Sequence, residues 1–211
     1  MAEYYPLFTD IQAKPVLVIG GNGKAYEKIQ KLLDYKPSIT VAADKFLPEI
    51  ERLDGKIRII KAHGEDICDL IIREMPKLVF LADTEYADAD AVFRLCAENR
   101  IELNTVDRRE YCSFICPSVI KRKKLTAAVS TSGASPAAAV MLREKLEGML
   151  PPTTDEILDW LEALRPIFRD RDGIDKRKLY RALAETAFEL GRALDGDETE
   201  AIAAGLDKNR G

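Results

Sequence analysis

A continuous apolar run that opens into glycines constrains this chain more than any other feature. Residues 15–20 have the sequence PVLVIG, and Gly21-Asn22-Gly23 follow directly. An uninterrupted apolar segment of this length is typical of a strand buried on both faces, as strands of parallel sheets are. We therefore expect a strand inside a parallel sheet, followed by a tight turn into a helix.

Predicted strands and helices alternate along the first half of the chain. Ile29, Leu32 and Leu33 have helical spacing after the first strand, and comparable apolar patterns follow the later strands. The further predicted strands are 38–43, 56–61, 77–82 and 102–106. Repeated strand–helix alternation is typical of right-handed βαβ units. The expected fold class is therefore α/β, with an open parallel sheet.

The pattern changes after residue 107. Two short strands, 118–120 and 125–131, flank the basic stretch Lys121–Lys124 and predict an antiparallel hairpin. A helix from Pro136 to about residue 150 is expected next, because Ser135 is a good N-cap and proline suits the first helical position.

Only helices are predicted beyond Pro151-Pro152. Capping boxes are expected at 153–156 and 197–200, Pro166 is expected to end or kink the first helix, and another helix is expected to stop near Gly196. The chain is therefore divided into 1–112, 113–150 and 151–211, the last part being a small helical domain.

Composition excludes several classes of protein. Hydrophobic residues make up 46% and charged residues 32% of the chain, which is typical of a soluble globular protein and excludes wholesale disorder. A net charge of -4 disfavours a general nucleic-acid binder. No stretch approaches the roughly 18 apolar residues of a membrane helix, and the start has no signal-peptide pattern. We expect a cytoplasmic protein with no membrane or nucleic-acid partner.

The cysteines and the single histidine limit the metal chemistry. Cys68, Cys96, Cys112 and Cys116 are expected to be reduced thiols. The last two are four residues apart, which could suit a metal on a helix, but the residues between them favour extended chain. We expect buried or partly buried thiols and no permanent metal. His63 is expected on a surface loop after a strand.

The turn Gly20–Gly23 is the first candidate site. A glycine-rich turn between strand and helix brings backbone N–H groups and a helix N-terminus towards a phosphate. Asp44 follows the second strand, where a carboxylate binds the ribose hydroxyls of NAD and repels the extra phosphate of NADP. Asn22 departs from the G-x-G-x-x-G spacing. From these residues alone, the alternative interpretation is a tight strand–helix turn that binds no ligand.

Three further polar stretches could carry chemistry. Asn104-Thr-Val-Asp107 ends the fifth strand, at the edge where ligands of open sheets collect, and its aspartate could act as a general base. The loop Ser130–Ser135 precedes a helix N-terminus, which suits carboxylates or phosphate. Lys121–Lys124 is typical of a solvated hairpin tip or of a contact for a polyanion. The alternative for Asp107 is an ordinary turn residue without a catalytic role. The alternative for Ser130–Ser135 is a polar loop that only caps the helix.

The order of these motifs resembles one family. Tyr5-Pro-Leu-Phe8 is followed by VLVIGGNGKAYEK, NTVD, SFICPSVIKR and LTAAVSTSGASPAAAVMLREKLEGMLP. This succession closely resembles the precorrin-2 dehydrogenase / sirohydrochlorin ferrochelatase family, which includes the N-terminal module of siroheme synthase. The resemblance covers about residues 4–151. Its specific part is the STSGASP stretch together with NTVD and SFICP upstream.

The resemblance implies an architecture and a reaction. A Rossmann domain would bind NAD, a strand–helix segment would join two chains into a homodimer, and a small helical domain would close the cleft. The implied reaction is oxidation of the tetrapyrrole precorrin-2 to sirohydrochlorin with hydride transfer to NAD. Some members also insert ferrous iron and make siroheme. That iron is a substrate, so no permanent ligand set is implied.

The resemblance also implies site residues. Asp107 matches the family's catalytic aspartate, which would accept or steer a proton. The implied cofactor contacts are Gly20, Gly21, Asn22, Gly23, Lys24, Asp44, Lys45, Asp83 and Thr84, and the implied tetrapyrrole contacts are Arg122, Ser130, Thr131, Ser132, Gly133 and Ser135.

Departures from the family pattern fall on the cofactor side. Asn22 replaces a glycine, Lys24 an apolar residue and Glu27 a basic one. Asp83 puts negative charge near the expected dinucleotide, and Ala89 stands where an asparagine is usual. These changes predict weakened NAD binding, or a relative that binds a tetrapyrrole or only inserts metal. A nucleotide-sensing module of the potassium-transport type is a third hypothesis, which gives no reason for the SFICP and STSGASP pair.

Overall fold

The chain divides into two units, Met1–Cys116 and Pro117–Gly211, which are described separately. The computed structural model describes residues 4–206. The three-part division at 112 and 150 stays a prediction. Residues 207–211 of its last part lie outside the described residues.

Five parallel strands form the sheet of the first unit. They are β1 (Pro15–Ile19), β2 (Ser38–Ala43), β3 (Arg58–Lys61), β4 (Leu78–Leu81) and β5 (Glu102–Thr105). Their order is β3-β2-β1-β4-β5, and Leu17 of the central strand pairs with Thr40 on one side and Val79 on the other. The predicted α/β class and its open parallel sheet are confirmed.

Helices cover both faces of this sheet. They are α1 (Gly23–Leu33), α2 (Pro48–Glu51), α3 (Ile67–Glu74) and α4 (Ala89–Glu98). Leu17 and Ile19 pack into a cluster with α3 and α4, whereas Val16 and Val18 pack into a second cluster with α1 and α2. Because side chains of a strand alternate between faces, a strand with a core on each face must be apolar throughout. The short α2 was not predicted, because four residues carry no helical periodicity.

The second unit begins with the predicted hairpin. β6 (Ser118–Lys121) and β7 (Thr126–Val129) pair antiparallel, and α5 (Pro136–Gly148) follows. The Ser135 side chain accepts a hydrogen bond from the Ala138 amide at 3.2 Å, so the predicted N-cap is confirmed.

α6 (Thr154–Phe168) differs from the expectation at both ends. The Thr153 hydroxyl donates to the carbonyl of Gly191 at 2.5 Å instead of capping α6, so the predicted capping box is wrong. The helix also continues through Pro166, so an end at this proline is wrong, and the kink that was the alternative stays a prediction. A proline removes one intrahelical hydrogen bond, which matters least close to a helix end.

The bounds of α7 (Lys176–Leu190) and α8 (Gly196–Gly205) correct two further expectations. α7 stops at Gly191, whose φ of 65° suits glycine, and not near Gly196. The capping box of α8 joins Asp195 to Glu198 and not residues 197 and 200. The sequence D-x-x-E fits both registers. Within residues 4–206, no helix is long and apolar enough to cross a membrane.

Candidate functional site

The loops at the carboxyl edge of the sheet are packed tightly together. Gly20 has a φ of 119°, and a Cβ atom there would lie 2.8 Å from the Cβ of Asp83. A Cβ on Gly21 would lie 1.9 Å from the carbonyl oxygen of Lys45. A Cβ on Gly23 would meet nothing within 4 Å. The first two glycines are therefore required by the protein's own packing, whereas the third borders open space.

The hydrogen bonds of Asn22 explain why an asparagine stands where the glycine fingerprint has a glycine. Its side chain is the N-cap of α1 and accepts from the Ala25 amide at 3.1 Å. Its amide nitrogen donates to Asp83 at 3.2 Å. Asp83 also accepts from the Glu85 amide at 3.2 Å, so both of its oxygens are engaged. Asn22 thus joins the turn after β1 to the turn after β4, which also holds the half-buried Thr84.

The start of α1 fits a dinucleotide pyrophosphate. The first N–H groups of a helix have no intrahelical partner, and the helix dipole favours an anion there. Gly23 leaves space beside these groups, and Lys24 adds a positive charge in the same turn.

Asp107 follows β5 in the left-handed backbone region, with a φ of 60°. Its carboxylate forms an ion pair with the Lys24 ammonium, in which the lysine donates. The two side chains are 73% and 56% exposed, so both are accessible to a ligand. The hydrogen bond and charge of Asp107 raise the pKa of Lys24, and the nearby carboxylates of Asp83 and Glu85 add to this effect.

Hydrogen bonds of the Cys112 thiol stabilise the turn that contains Asp107. Its sulfur accepts from the Thr105 amide at 3.1 Å and donates towards the carbonyls of Thr105 at 3.2 Å and Arg108 at 3.5 Å. Burial raises the pKa of the Cys112 thiol, which keeps the donor proton in place. Cys112 is partly buried, as expected, and its hydrogen bonds give it a structural role in this turn.

Lys28 contacts polar groups near the end of β5, and the sequence analysis did not identify it as a candidate site residue. Its ammonium lies 3.4 Å from the Asn104 side-chain oxygen, 3.4 Å from the Cys116 sulfur and 5.0 Å from the centre of the Phe80 ring. Lys28 is four residues after Lys24, so the two lysines share one face of α1. That spacing is the signal that could have identified it.

An open cavity of about 530 Å³ lies at the loops after β3 and β4. His63, Gly64, Glu65, Tyr86 and Asp88 line it. The Tyr86 hydroxyl donates to the carbonyl of Ala62, and burial, with the charge of Asp44 next in effect, raises the pKa of Tyr86 to about 12. The exposed Asp44 and Lys45 follow β2 at the same edge of the sheet. Tyr86 was missed because its place in this cavity depends on strand order.

The loop Ser130–Ser135 in the second unit is held by its own hydrogen bonds. The Ser135 amide donates to the Thr131 hydroxyl at 3.1 Å, and the Ser132 amide donates to the Ser130 hydroxyl at 3.0 Å. Ser132 and Gly133 have positive φ values of 51° and 82°. Ser130, Ser132 and Gly133 remain exposed at the start of α5.

The basic hairpin tip is bound to α6. The Lys123 ammonium pairs with Asp159 at 2.8 Å, and Lys124 pairs with both Asp159 and Glu162. The Arg122 guanidinium donates to the carbonyl of Pro151 at 3.0 Å. These cations therefore already have partners within the unit, and the role of Arg122 at a tetrapyrrole stays a prediction.

Cysteine positions in the described part of the chain offer no metal cage. No group of three or more His, Cys, Asp or Glu side chains among residues 4–206 is arranged to hold an ion. Cys96 is buried, and burial raises its pKa to about 12, while Cys68 is half-buried. Cys116 is exposed beside Lys28, so the expectation of a buried or partly buried thiol is wrong for this residue.

Comparisons with known proteins agree with this geometry. A family model described as "Putative NAD(P)-binding" matches residues 7–118, more than half of the chain, and a model for the sirohaem biosynthesis protein central domain matches 122–149. A precorrin-2 dehydrogenase structure, SirC, is 20% identical, with a TM-score of 0.64 over 97% of this chain and 100% of that one. At this identity the likeness concerns the fold.

Curated relatives are more similar in sequence but longer. Siroheme synthase of Neisseria meningitidis serogroup C (strain 053442) is 35% identical over 167 residues, which are 77% of this chain and 34% of that protein. Siroheme synthase of Actinobacillus succinogenes is 31% identical over 209 residues, 97% of this chain and 43% of that protein. The chain thus spans a third to under half of these relatives. It belongs to the NAD(P)-binding precorrin-2 dehydrogenase / sirohydrochlorin ferrochelatase family.

Proposed function

We propose that this chain oxidises precorrin-2 to sirohydrochlorin with NAD as the hydride acceptor. The observation that carries the proposal is the place of Asp107. It is an exposed carboxylate at the carboxyl end of β5, in contact with the first turn of the helix that would hold the cofactor phosphates. A base then lies at the sheet edge where the cofactor would bind, and removal of a proton and a hydride requires both groups in one site.

The cofactor supplies the hydride acceptor, and the chain's residues do the rest. The α1 N-terminus with Gly23 and Lys24 would hold the pyrophosphate, and Asp44 would accept hydrogen bonds from the ribose hydroxyls. Asp107 accepts the proton that leaves as the tetrapyrrole is oxidised. Products are sirohydrochlorin, NADH and one proton, which balances the reaction.

The tetrapyrrole carries several carboxylates, which suit the hydroxyls of the exposed Ser130 and Ser132 in the loop Ser130–Ser135. Ferrous iron enters this proposal as the substrate of a second step, in which two pyrrole N–H protons leave as the metal enters sirohydrochlorin, one to Asp107 and the other to water. That assignment needs no resident metal.

An anaerobic assay with freshly made precorrin-2 and NAD tests the function. Sirohydrochlorin and NADH are followed together, and equal amounts of both are expected. Precorrin-2 binding without NADH would instead support a relative that binds a tetrapyrrole or only inserts metal. Ferrous iron is then added to sirohydrochlorin, and the appearance of siroheme reports the second step.

We expect Asp44→Asn to lower the preference for NAD over NADP by about tenfold or more, because a hydrogen bond to a charged group contributes roughly 1.5–3 kcal/mol and 1.4 kcal/mol is tenfold in affinity. Loss of the negative charge also removes repulsion of the extra phosphate. Dissociation constants of both dinucleotides measure the effect. Glu49→Gln, an exposed carboxylate on α2, is the control. Unchanged preference in the Asp44 variant would contradict the assigned ribose contact.

We further propose that the chain forms a homodimer through the exposed apolar face of α5. Leu142, Leu146 and Met149 share one face at helical spacing along α5 and its C-terminal end, and these residues are 42%, 45% and 78% exposed. Large apolar side chains grouped on one helix are typical of an interaction surface. A second copy of the chain is the partner that the family resemblance implies.

Sedimentation should therefore show a dimer for the wild type and a weakened dimer for Leu142→Asp and Leu146→Asp. Burial of a leucine contributes about 1.5–3 kcal/mol, so each variant should weaken the dimer by at least about tenfold. Leu190→Asp is the matched control, because Leu190 is 53% exposed at the end of α7. A wild-type monomer, or equal weakening by the control, would overturn the dimer assignment.

A further inference from the structure

Lys24 pairs with Asp107 and also lies in the first turn of α1. It is the second residue of α1, directly after Gly23, and its ammonium reaches the Asp107 carboxylate across 83 positions of sequence. Side chains of a helix lean towards its N-terminus. The same ammonium can therefore reach an anion at the helix start.

The pair with Asp107 is weak enough to exchange. Both side chains are more than half exposed, and exposed ion pairs contribute little because water screens them. A phosphate at the start of α1 offers the lysine a second anionic partner together with the helix N–H groups. The single Lys24 ammonium can pair either with the Asp107 carboxylate or with the phosphate. In the first state Asp107 is engaged in an ion pair, and in the second its carboxylate is free.

We propose that Lys24 exchanges partners when NAD binds: it pairs with Asp107 in the cofactor-free protein and with the dinucleotide pyrophosphate in the loaded protein, which frees the Asp107 carboxylate. This inference rests on the proposed function. Lys24 is thus a positioning residue that couples cofactor binding to the availability of the base. Asp107 becomes free to accept a proton in the state that also holds a hydride acceptor.

Binding measurements without any tetrapyrrole test this exchange. Because NAD must compete with Asp107 for Lys24, Asp107→Asn should tighten NAD binding by about two- to fivefold, the range expected for an exposed ion pair. Lys24→Met alone should weaken binding. In the Lys24→Met background, Asp107→Asn should tighten NAD binding no more than the control Glu85→Gln does, because there is no lysine left to release.

Glu85→Gln is the matched control, because Glu85 also places its charge near Lys24 but is not its ion-pair partner. It measures the general effect of removing one carboxylate near an anionic cofactor, and the effect should be similar with and without Lys24. The dissociation constants come from calorimetry at one fixed salt concentration. Circular dichroism checks that each variant is folded.

The outcomes separate this inference from the proposed function. If the wild type binds NAD and oxidises precorrin-2, but Asp107→Asn acts equally in both backgrounds, the exchange is wrong and the dehydrogenase assignment stands. Tighter binding that depends on Lys24 supports the exchange. If the folded wild type binds no NAD, both the exchange and the dehydrogenase assignment fall.

Discussion

Asp107→Asn is expected to lower kcat for precorrin-2 oxidation by about 10²- to 10⁴-fold, the range contributed by a positioned general base. The amide keeps the shape of the side chain but cannot accept the proton that leaves with oxidation. Asparagine also tolerates the left-handed backbone that Asp107 adopts at a φ of 60°. The turn after β5 should therefore persist, and the loss should concern chemistry.

Two measurements separate loss of the base from loss of the fold. The melting temperature of Asp107→Asn should stay within about 3 °C of the wild type, because an exposed ion pair contributes at most about 1 kcal/mol. Asp107→Ala should lose at least as much activity and some stability as well, since alanine is strained at this φ. An Asn variant with wild-type kcat would show that another group accepts the proton.

Gly21→Ala and Gly23→Ala are expected to affect stability in opposite directions. A methyl group on Gly21 would collide with the carbonyl oxygen of Lys45, so the loop after β2 must move and the hydrogen bond from the Leu47 amide to the Gly21 carbonyl is disturbed. Overpacking of this kind costs about 1–3 kcal/mol, which corresponds to a fall of several degrees in the melting temperature.

Gly23→Ala should instead raise stability by about 0.5–1 kcal/mol, because alanine is the better helix former and nothing lies within 4 Å of the added atom. The same methyl group narrows the space beside the α1 N-terminus. NAD binding should therefore weaken by about tenfold even though the protein is more stable, since the turn must allow close approach of the phosphates.

Thermal unfolding and calorimetric NAD binding on both variants check this pair of expectations. Gly23→Ala is the more informative variant, because its stability should rise while its affinity for NAD should fall. Gly23→Ala with full NAD affinity would mean that the phosphates do not approach this residue. Gly21→Ala with wild-type stability would mean that the loop after β2 moves at little cost.

The apolar run 15–20 predicted a strand buried on both faces, because such burial leaves no position for a polar residue. The repeated strand–helix alternation then predicted a parallel sheet. The strand bounds of the first unit followed to within two residues, but the short α2 was missed. The other errors lie at helix ends in the second unit, where Thr153 bonds to Gly191 and where D-x-x-E fits two registers. Local patterns do not decide which of two similar caps is used when a distant group takes part.

The composition of the candidate site was also predictable in outline. Gly20–Gly23, Asp44 and Asp107 each follow a predicted strand, and parallel strands end at one edge of a sheet. The sequence could not show that Gly20 and Gly21 are needed for packing while Gly23 borders open space. That difference depends on the loops after β2 and β4, which come from other parts of the chain.

The sequence by itself determined the fold class, the order of the elements and the edge of the sheet at which the site lies, because these depend on the spacing of apolar residues along the chain. The tertiary structure alone decided that Lys24 meets Asp107, that Asn22 is bound to Asp83 and that Cys112 braces the turn after β5. Such contacts join residues that are distant in sequence. They depend on strand order and side-chain reach, which no local pattern encodes.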